Sequence, residues 1–225
     1  MLLLPHQLEG ITRARQLLSR YGGAILADEV GLGKSFVAAA IAREAQNIEL
    51  IIPAGLVAQW RETARAFDIN PLIVTHDALA NDPFVADITR ERLLIVDEAH
   101  AFRNRRTQRW AALARRSVAA KLLLVTATPI CNSIDDLHAL VMLITADDAL
   151  REHGVASIDD AFIARDRKAI AIVVRELVIR RARDVLPPDL RFGALTRSVV
   201  RHPVFAAAGI DTLRFPLVAQ RATRA

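Results

Sequence analysis

Ala24-Ile25-Leu26-Ala27-Asp28-Glu29-Val30-Gly31-Leu32-Gly33-Lys34-Ser35 opens on four apolar residues, turns through two glycines and ends on a lysine and a hydroxyl. A short run with no polar alternation reads as a strand buried on both faces. Residues 34–46, with Val37, Ala38, Ile41 and Ala42, read as the helix that follows. Gly31 and Gly33 allow the backbone to wrap closely around phosphates, and the helix N-terminus adds aligned N–H donors. Lys34 is placed to reach terminal phosphates, and the Ser35 hydroxyl to ligate Mg²⁺. The chain has only 3 lysines against 27 arginines, so a lysine here fits the need for a compact charge on a flexible stem. One residue departs from the generic phosphate-loop pattern: Asp28 stands where glycine is usual.

The same strand-then-helix rhythm continues outward. Leu50–Pro53, Leu93–Val96 and Leu122–Val125 are further apolar runs, and Pro71–Val74 is a fifth. Residues 6–20 and 55–67 carry apolar residues at helical spacing between them. Such alternation predicts an α/β fold, a doubly wound and mostly parallel sheet, with its ligand at the carboxyl ends of the strands. Two of those ends carry chemistry. After the 93–96 run stands Asp97-Glu98-Ala99-His100. There Asp97 could hold Mg²⁺, and Glu98 could orient or deprotonate an attacking water. After the 122–125 run, the hydroxyls of Thr126 and Thr128 could sense a γ-phosphate or bridge to the Asp97-Glu98 loop. From about Asn132 the pattern turns helical, through 137–144 and then 159–181, up to Pro187-Pro188.

Composition bounds the rest. Hydrophobic residues are 52% and charged residues 24%, the mix of a globular protein rather than a disordered tail. No apolar run approaches the roughly 20 residues that span a bilayer, so no membrane is expected. A single cysteine, Cys131, excludes an intrachain disulfide and reads as a small buried hydrophobe in a cytoplasmic protein. The net charge of +5 is unevenly placed. Residues 1–179 hold 21 Lys+Arg against 22 Asp+Glu, whereas 180–225 hold 9 Arg against 3 Asp. A second block, from Arg103 to Lys121, has no acid in it. Either block reads as a polyanion-attracting patch or as a solvated helix face.

Taken in order, these motifs resemble the first RecA-like lobe of superfamily 2 helicases, and most closely the Swi/Snf-type ATPases. Leu4-Pro5-His6-Gln7-Leu8-Glu9-Gly10 is similar to the family's adenine-recognition motif, with Gln7 as the base reader. Asp28–Ser35 resembles its Asp-Glu-x-Gly-Leu-Gly-Lys-Thr loop, which accounts for Asp28 and differs by Ser for Thr. Asp97–His100, a DEAH-type box, then Arg103-Asn104, is similar to its metal motif and basic-Asn extension, with His100 beside the nucleotide. Thr126-Ala127-Thr128-Pro129 resembles its third motif, with Ala127 where Gly is commoner. The resemblance implies contacts to nucleic acid from Pro53, Trp60, Thr75, Arg103, Asn104, Arg180 and Arg181. Arg180-Arg181, with Asp184, Val185, Leu186 and Pro187, looks like the element that closes the first lobe. Val30 in place of Met is similar to the RNA-polymerase-recycling branch, RapA/HepA-like.

The resemblance spans residues 4 to about 190. It implies an ATP-binding lobe at 1–145, a helical extension at 146–190, and a basic linker or start of a second lobe at 191–225. ATP and Mg²⁺ are the implied cofactors, with Lys34, Asp97 and Glu98 catalytic. Double-stranded DNA, a second RecA-like lobe and RNA polymerase or another DNA-bound protein are the implied partners. The implied setting is a bacterial cytoplasm, at the nucleoid. Because a second lobe does not fit after Pro188, hydrolysis by the chain alone is expected to be weak. A non-motor module that senses nucleotide or docks a partner is the competing expectation. A kinase or GTPase is disfavoured, for no guanine-reading Asn-Lys-x-Asp segment is present.

Overall fold

In the computed structural model, residues 3–81, 91–182 and 185 are described. The chain starts with helix α1 (Pro5–Tyr21), whose first turn is pre-set by Pro5 at its N-terminus. Strand β1 (Gly23–Leu26), helix α2 (Lys34–Ala42) and strand β2 (Asn47–Ile52) follow. Helix α3 (Val57–Phe67) leads to strand β3 (Leu72–Thr75) and the short helix α4 (His76–Asn81). Strand β4 (Arg92–Asp97), helix α5 (Gln108–Arg116) and strand β5 (Lys121–Val125) come next. Helices α6 (Ile134–Ile144), α7 (Ile158–Ile163) and α8 (Arg167–Leu177) precede a two-residue strand, β6 (Val178–Ile179).

The six strands form one parallel sheet in the order β3-β2-β4-β5-β1-β6. All five apolar runs are strands of it. β1 and β4 are buried along their whole length, as continuous apolar runs require when helices cover both faces. β3 is more open, and Leu72 is 58% exposed at that edge. The core continues into the helices through Trp60, Phe102 and Phe162, all fully buried.

Local chemistry sets the helix starts. The Thr107 hydroxyl accepts from Trp110 N–H at the start of α5, and the Ser133 hydroxyl from Asp135 N–H at the start of α6. Asp166 accepts from the N–H groups of Lys168 and Ala169, which starts α8 and ends any continuous helix across 159–181. The expected run of helix there is two helices separated at 164–166, and its last residues, 178–179, are extended and paired with β1. β-branched Val178 and Ile179 suit that strand, and Leu26–Ile179 pairing buries Ile179.

Two readings from composition also change. Cys131 is exposed rather than buried, with its Sγ 3.4 Å from the Thr128 carbonyl oxygen. Much of the basic block is used within the fold. Arg105 pairs with Asp159, Arg109 with Asp77, Lys121 with Glu91, and Arg116 with a buried Glu49 on β2. Arg92 reinforces the last pair, donating to the carbonyls of Arg116 and Val118 at 3.0 Å each. The basic stretch at 191–225, and the Asp184, Leu186 and Pro187 part of the closing element, lie outside the described residues.

Candidate functional site

The sheet order decides which loops meet. β1, β5 and β4 are consecutive neighbours, so the segments leaving their carboxyl ends share one edge. These are the 27–33 loop, the Thr126–Thr128 turn and Asp97-Glu98. The chain runs from β1 out to β2 and β3 before returning to β4, and ligands of open α/β sheets sit at such reversals.

The 27–33 loop is shaped by its glycines. Gly31 and Gly33 have φ of 93° and 76°, a region that costs residues with a Cβ. Gly33 is also the residue before α2, and a Cβ there would overlap the Gln7 side-chain amide. The Lys34 ammonium folds over the loop and donates to the carbonyls of Asp28 at 2.8 Å and Glu29 at 3.3 Å. Helix α1 holds the loop from its other side. Leu32 carbonyl lies 3.1 Å from His6 Nε2 and accepts from Gln7 Nε2 at 3.3 Å. Gln7 Oε1 accepts from Leu4 N–H at 2.9 Å. Both ends of the Gln7 amide are therefore engaged by backbone, and a base read by Gln7 must share or displace one of these bonds.

Asp97 ends β4 and is only 7% exposed. Its Oδ2 accepts from the Trp60 indole N–H at 2.8 Å, and its Oδ1 from Glu98 N–H at 2.9 Å. Burial raises its pKa above the usual carboxylate range, against the two N–H donors and the Lys34 charge, which pull it down. Glu98 is left-handed, with φ 51° and ψ 45°, and its Oε2 lies 3.1 Å from His100 Nδ1. Beneath them His76 donates from Nε2 to the Asp97 carbonyl at 3.0 Å, and burial lowers the His76 pKa to about 4. Thr126 is buried and its Oγ1 accepts from Thr128 N–H at 3.1 Å, which closes the turn, while Thr128 is exposed.

The donor set suits a hard cation held jointly with phosphates. Asp97 offers a buried carboxylate, and Ser35 a hydroxyl in the first turn of α2. Among the described residues no group of three or more His, Cys, Asp or Glu side chains could hold a metal by itself. Mg²⁺ typically takes one or two carboxylates and completes its shell with phosphate and water.

The residues expected to meet nucleic acid separate into groups. Pro53 follows β2, Thr75 ends β3, and Arg103 and Asn104 follow β4, all on the same sheet edge as the loop. Arg103, Asn104, Arg105, Arg106 and Asn132 line a groove of about 790 Å³ there. Arg106, absent from the sequence-derived set, is exposed beside Asn104, which accepts from Arg106 N–H at 2.9 Å. Two assignments are overturned. Trp60 is fully buried and its one polar atom is committed to Asp97, so it offers no surface to nucleic acid. Arg181 donates from Nε to Oδ1 of the fully buried Asp28 at 3.0 Å and pairs through Nη2 with Oδ2, so it faces the loop rather than solvent. Arg180 is exposed, but follows β6 at the far end of the sheet from β3.

A family model described as the SNF2-related domain matches residues 53–185. The chain belongs to this SNF2-related family. It is 35% identical over 165 residues to the uncharacterized ATP-dependent helicase YqhH of Bacillus subtilis, covering 63% of this chain and 29% of that protein. It is 25% identical over 194 residues to helicase SWR1 of Saccharomyces cerevisiae, covering 70% of this chain and 13% of that one. The chain thus spans under a third of the curated relatives it matches. The SWI2/SNF2 ATPase core of Sulfolobus solfataricus, solved in complex with dsDNA, shares the fold with a TM-score of 0.67 at 19% identity. That likeness covers 85% of this chain and 47% of that core. The SNF2-related assignment and the parallel RecA-like sheet agree with the resemblance read from the motifs. No helix among the described residues is long and apolar enough to cross a membrane.

Proposed function

We propose that the chain is the ATP-binding lobe of a Swi/Snf-type motor that works on double-stranded DNA. The observation that carries this is one adjacency: the phosphate loop after β1 and Asp97-Glu98 after β4 leave the same sheet edge with only β5 between them, close enough for the Lys34 charge to act on Asp97. A triphosphate lying along that edge has the N-terminus of α2 and Lys34 on its phosphates. Ser35 and Asp97 would hold Mg²⁺, whose charge neutralises the phosphate oxygens when bound. Trp60 holds Asp97 in place, and Glu98 takes the proton of, or orients, the attacking water. His100, 3.1 Å from Glu98, steadies that carboxylate. Thr128, exposed on the turn that Thr126 closes after β5, faces the terminal phosphate.

Duplex DNA is placed across the loops after β2, β3 and β4, against Pro53, Thr75, Arg103 and Asn104. The dsDNA bound to the Sulfolobus core supports the choice of duplex. That work would sit at the nucleoid of a bacterial cytoplasm, in keeping with the Bacillus relative. Val30, in the loop position where Met is commoner, is the residue behind the further reading that RNA polymerase or another DNA-bound protein is the object moved. The chain covers 47% of the Sulfolobus core, so a second RecA-like lobe is the partner that completes the site. Without it, turnover is weak, because an arginine supplied across the cleft is worth on the order of 10³–10⁵ in rate.

Calorimetric titration of ATP with Mg²⁺ into wild type and Lys34→Ala tests the site. Affinity should fall at least about tenfold in the variant. Equal affinity would overturn the assignment and leave the docking-module alternative.

A further inference from the structure

We propose that Arg181 is a positioning residue for nucleotide: through Asp28 it fixes the peptide that holds the Lys34 ammonium. The inference rests on Lys34 gripping phosphates as described above. Arg181 and the phosphate loop lie 153 residues apart in sequence, yet four bonds join them. The Arg181 guanidinium takes both carboxylate oxygens of Asp28, from Nε at 3.0 Å and from Nη2. Arg181 backbone N–H donates to Asp28 Oδ1 at 2.9 Å, and Glu29 N–H donates to the Arg181 carbonyl at 3.1 Å. One step earlier, Ala27 N–H donates to the Ile179 carbonyl at 2.7 Å, which continues the β1–β6 pairing into the loop.

These bonds hold the outer side of residues 27–29. The inner side of the same residues, the carbonyls of Asp28 and Glu29, holds Lys34 Nζ. The lysine is therefore aimed by a strip of backbone whose own position Arg181 sets. Asp28 is 0% exposed, and a buried carboxylate needs a matched partner, which Arg181 supplies. Only a planar fork satisfies both of its oxygens in this geometry, which an ammonium cannot do. Gly10 makes room for it, since a Cβ there would overlap the guanidinium lying against α1.

A purely structural clasp and a positioning clasp differ in what they do to nucleotide discrimination. Lys34 reaches the terminal phosphates, so misplacing it should weaken ATP more than ADP. The test titrates ATP and ADP, each with Mg²⁺, into the 225-residue chain as wild type, Arg181→Lys, Asp28→Asn and Lys34→Ala, with thermal melts of each. Arg181→Lys and Asp28→Asn should melt cooperatively, lose about tenfold in ATP affinity and lose less for ADP, in the manner of Lys34→Ala. Wild-type ATP binding in both, equal losses for the two nucleotides, or failure of both variants to fold would each overturn the proposal. If Lys34→Ala itself binds ATP normally, it is the parent reading that fails, whatever Arg181 does.

Discussion

The indole N–H of Trp60, on α3, donates to Asp97 Oδ2 at 2.8 Å from a position with no solvent exposure. A residue expected on the DNA surface thus stands behind the carboxylate proposed to hold Mg²⁺. Trp60→Phe keeps most of the buried ring but strips Asp97 of that donor. An unmet buried acceptor costs about 1–3 kcal/mol, so the melting temperature should fall by several degrees. The Mg²⁺ concentration needed for half-maximal ATP binding should rise. Unchanged Mg²⁺ dependence would sink the positioning role of Trp60.

Glu98→Gln separates binding from chemistry. Glutamine keeps the size of the side chain and removes only the proton acceptor. ATP affinity should stay within about twofold of wild type, while hydrolysis, measured with enzyme in excess over ATP, should fall by about 10²–10⁴. A comparable loss of binding would place Glu98 in the grip rather than in the chemistry.

The groove beside Arg103 and Arg106 can be tested by salt. Each arginine that neutralises a phosphate contributes about one unit to the dependence of log affinity on log salt. Arg103→Ala with Arg106→Ala should weaken binding to a duplex of any sequence and lower that slope by about two. Arg116→Ala is the contrast, since Arg116 is buried against Glu49 and its loss should lower stability instead. An unchanged slope in the double variant would move DNA off this groove.

Acid should loosen the helical end of the domain. His138 on α6 stacks on Phe162 with ring centroids 4.6 Å apart, and its Nε2 lies 2.9 Å from Asp159 Oδ1. Burial first, then Arg105, hold its pKa below the usual value, and Asp159 only partly offsets them. A group whose folded pKa is depressed takes up protons preferentially when unfolded. Stability is therefore fully present above about pH 6.5 and declines as pH falls below it toward the folded value. Denaturation midpoints from pH 7 to 5 should show this decline in wild type and a shallower one in His138→Gln. Identical slopes would remove His138 as its source.

What the sequence made legible follows the strength of each local signal. The loop at 28–35 and the five apolar runs were readable because uninterrupted apolar strands and left-handed glycines leave few alternatives. β6 was hidden because two residues, Val178 and Ile179, cannot outvote the helical periodicity before them. Trp60 and Arg181 were misassigned for one shared reason: each carries a polar group whose partner lies far along the chain, Asp97 in one case and Asp28 in the other. No spacing rule reveals such a partner. Asp28 was the one visible hint, a charge placed where the loop alone would prefer glycine.

Glu98 carries the opposite tension. Its backbone sits at φ 51°, a conformation that costs a residue with a Cβ about 1 kcal/mol and costs glycine almost nothing. At this position the fold alone would favour glycine, while the proposed chemistry requires an acid. Selection for heat resistance alone would erode this acid early, and selection for turnover would restore it. A library sorted under those two pressures would diverge here first.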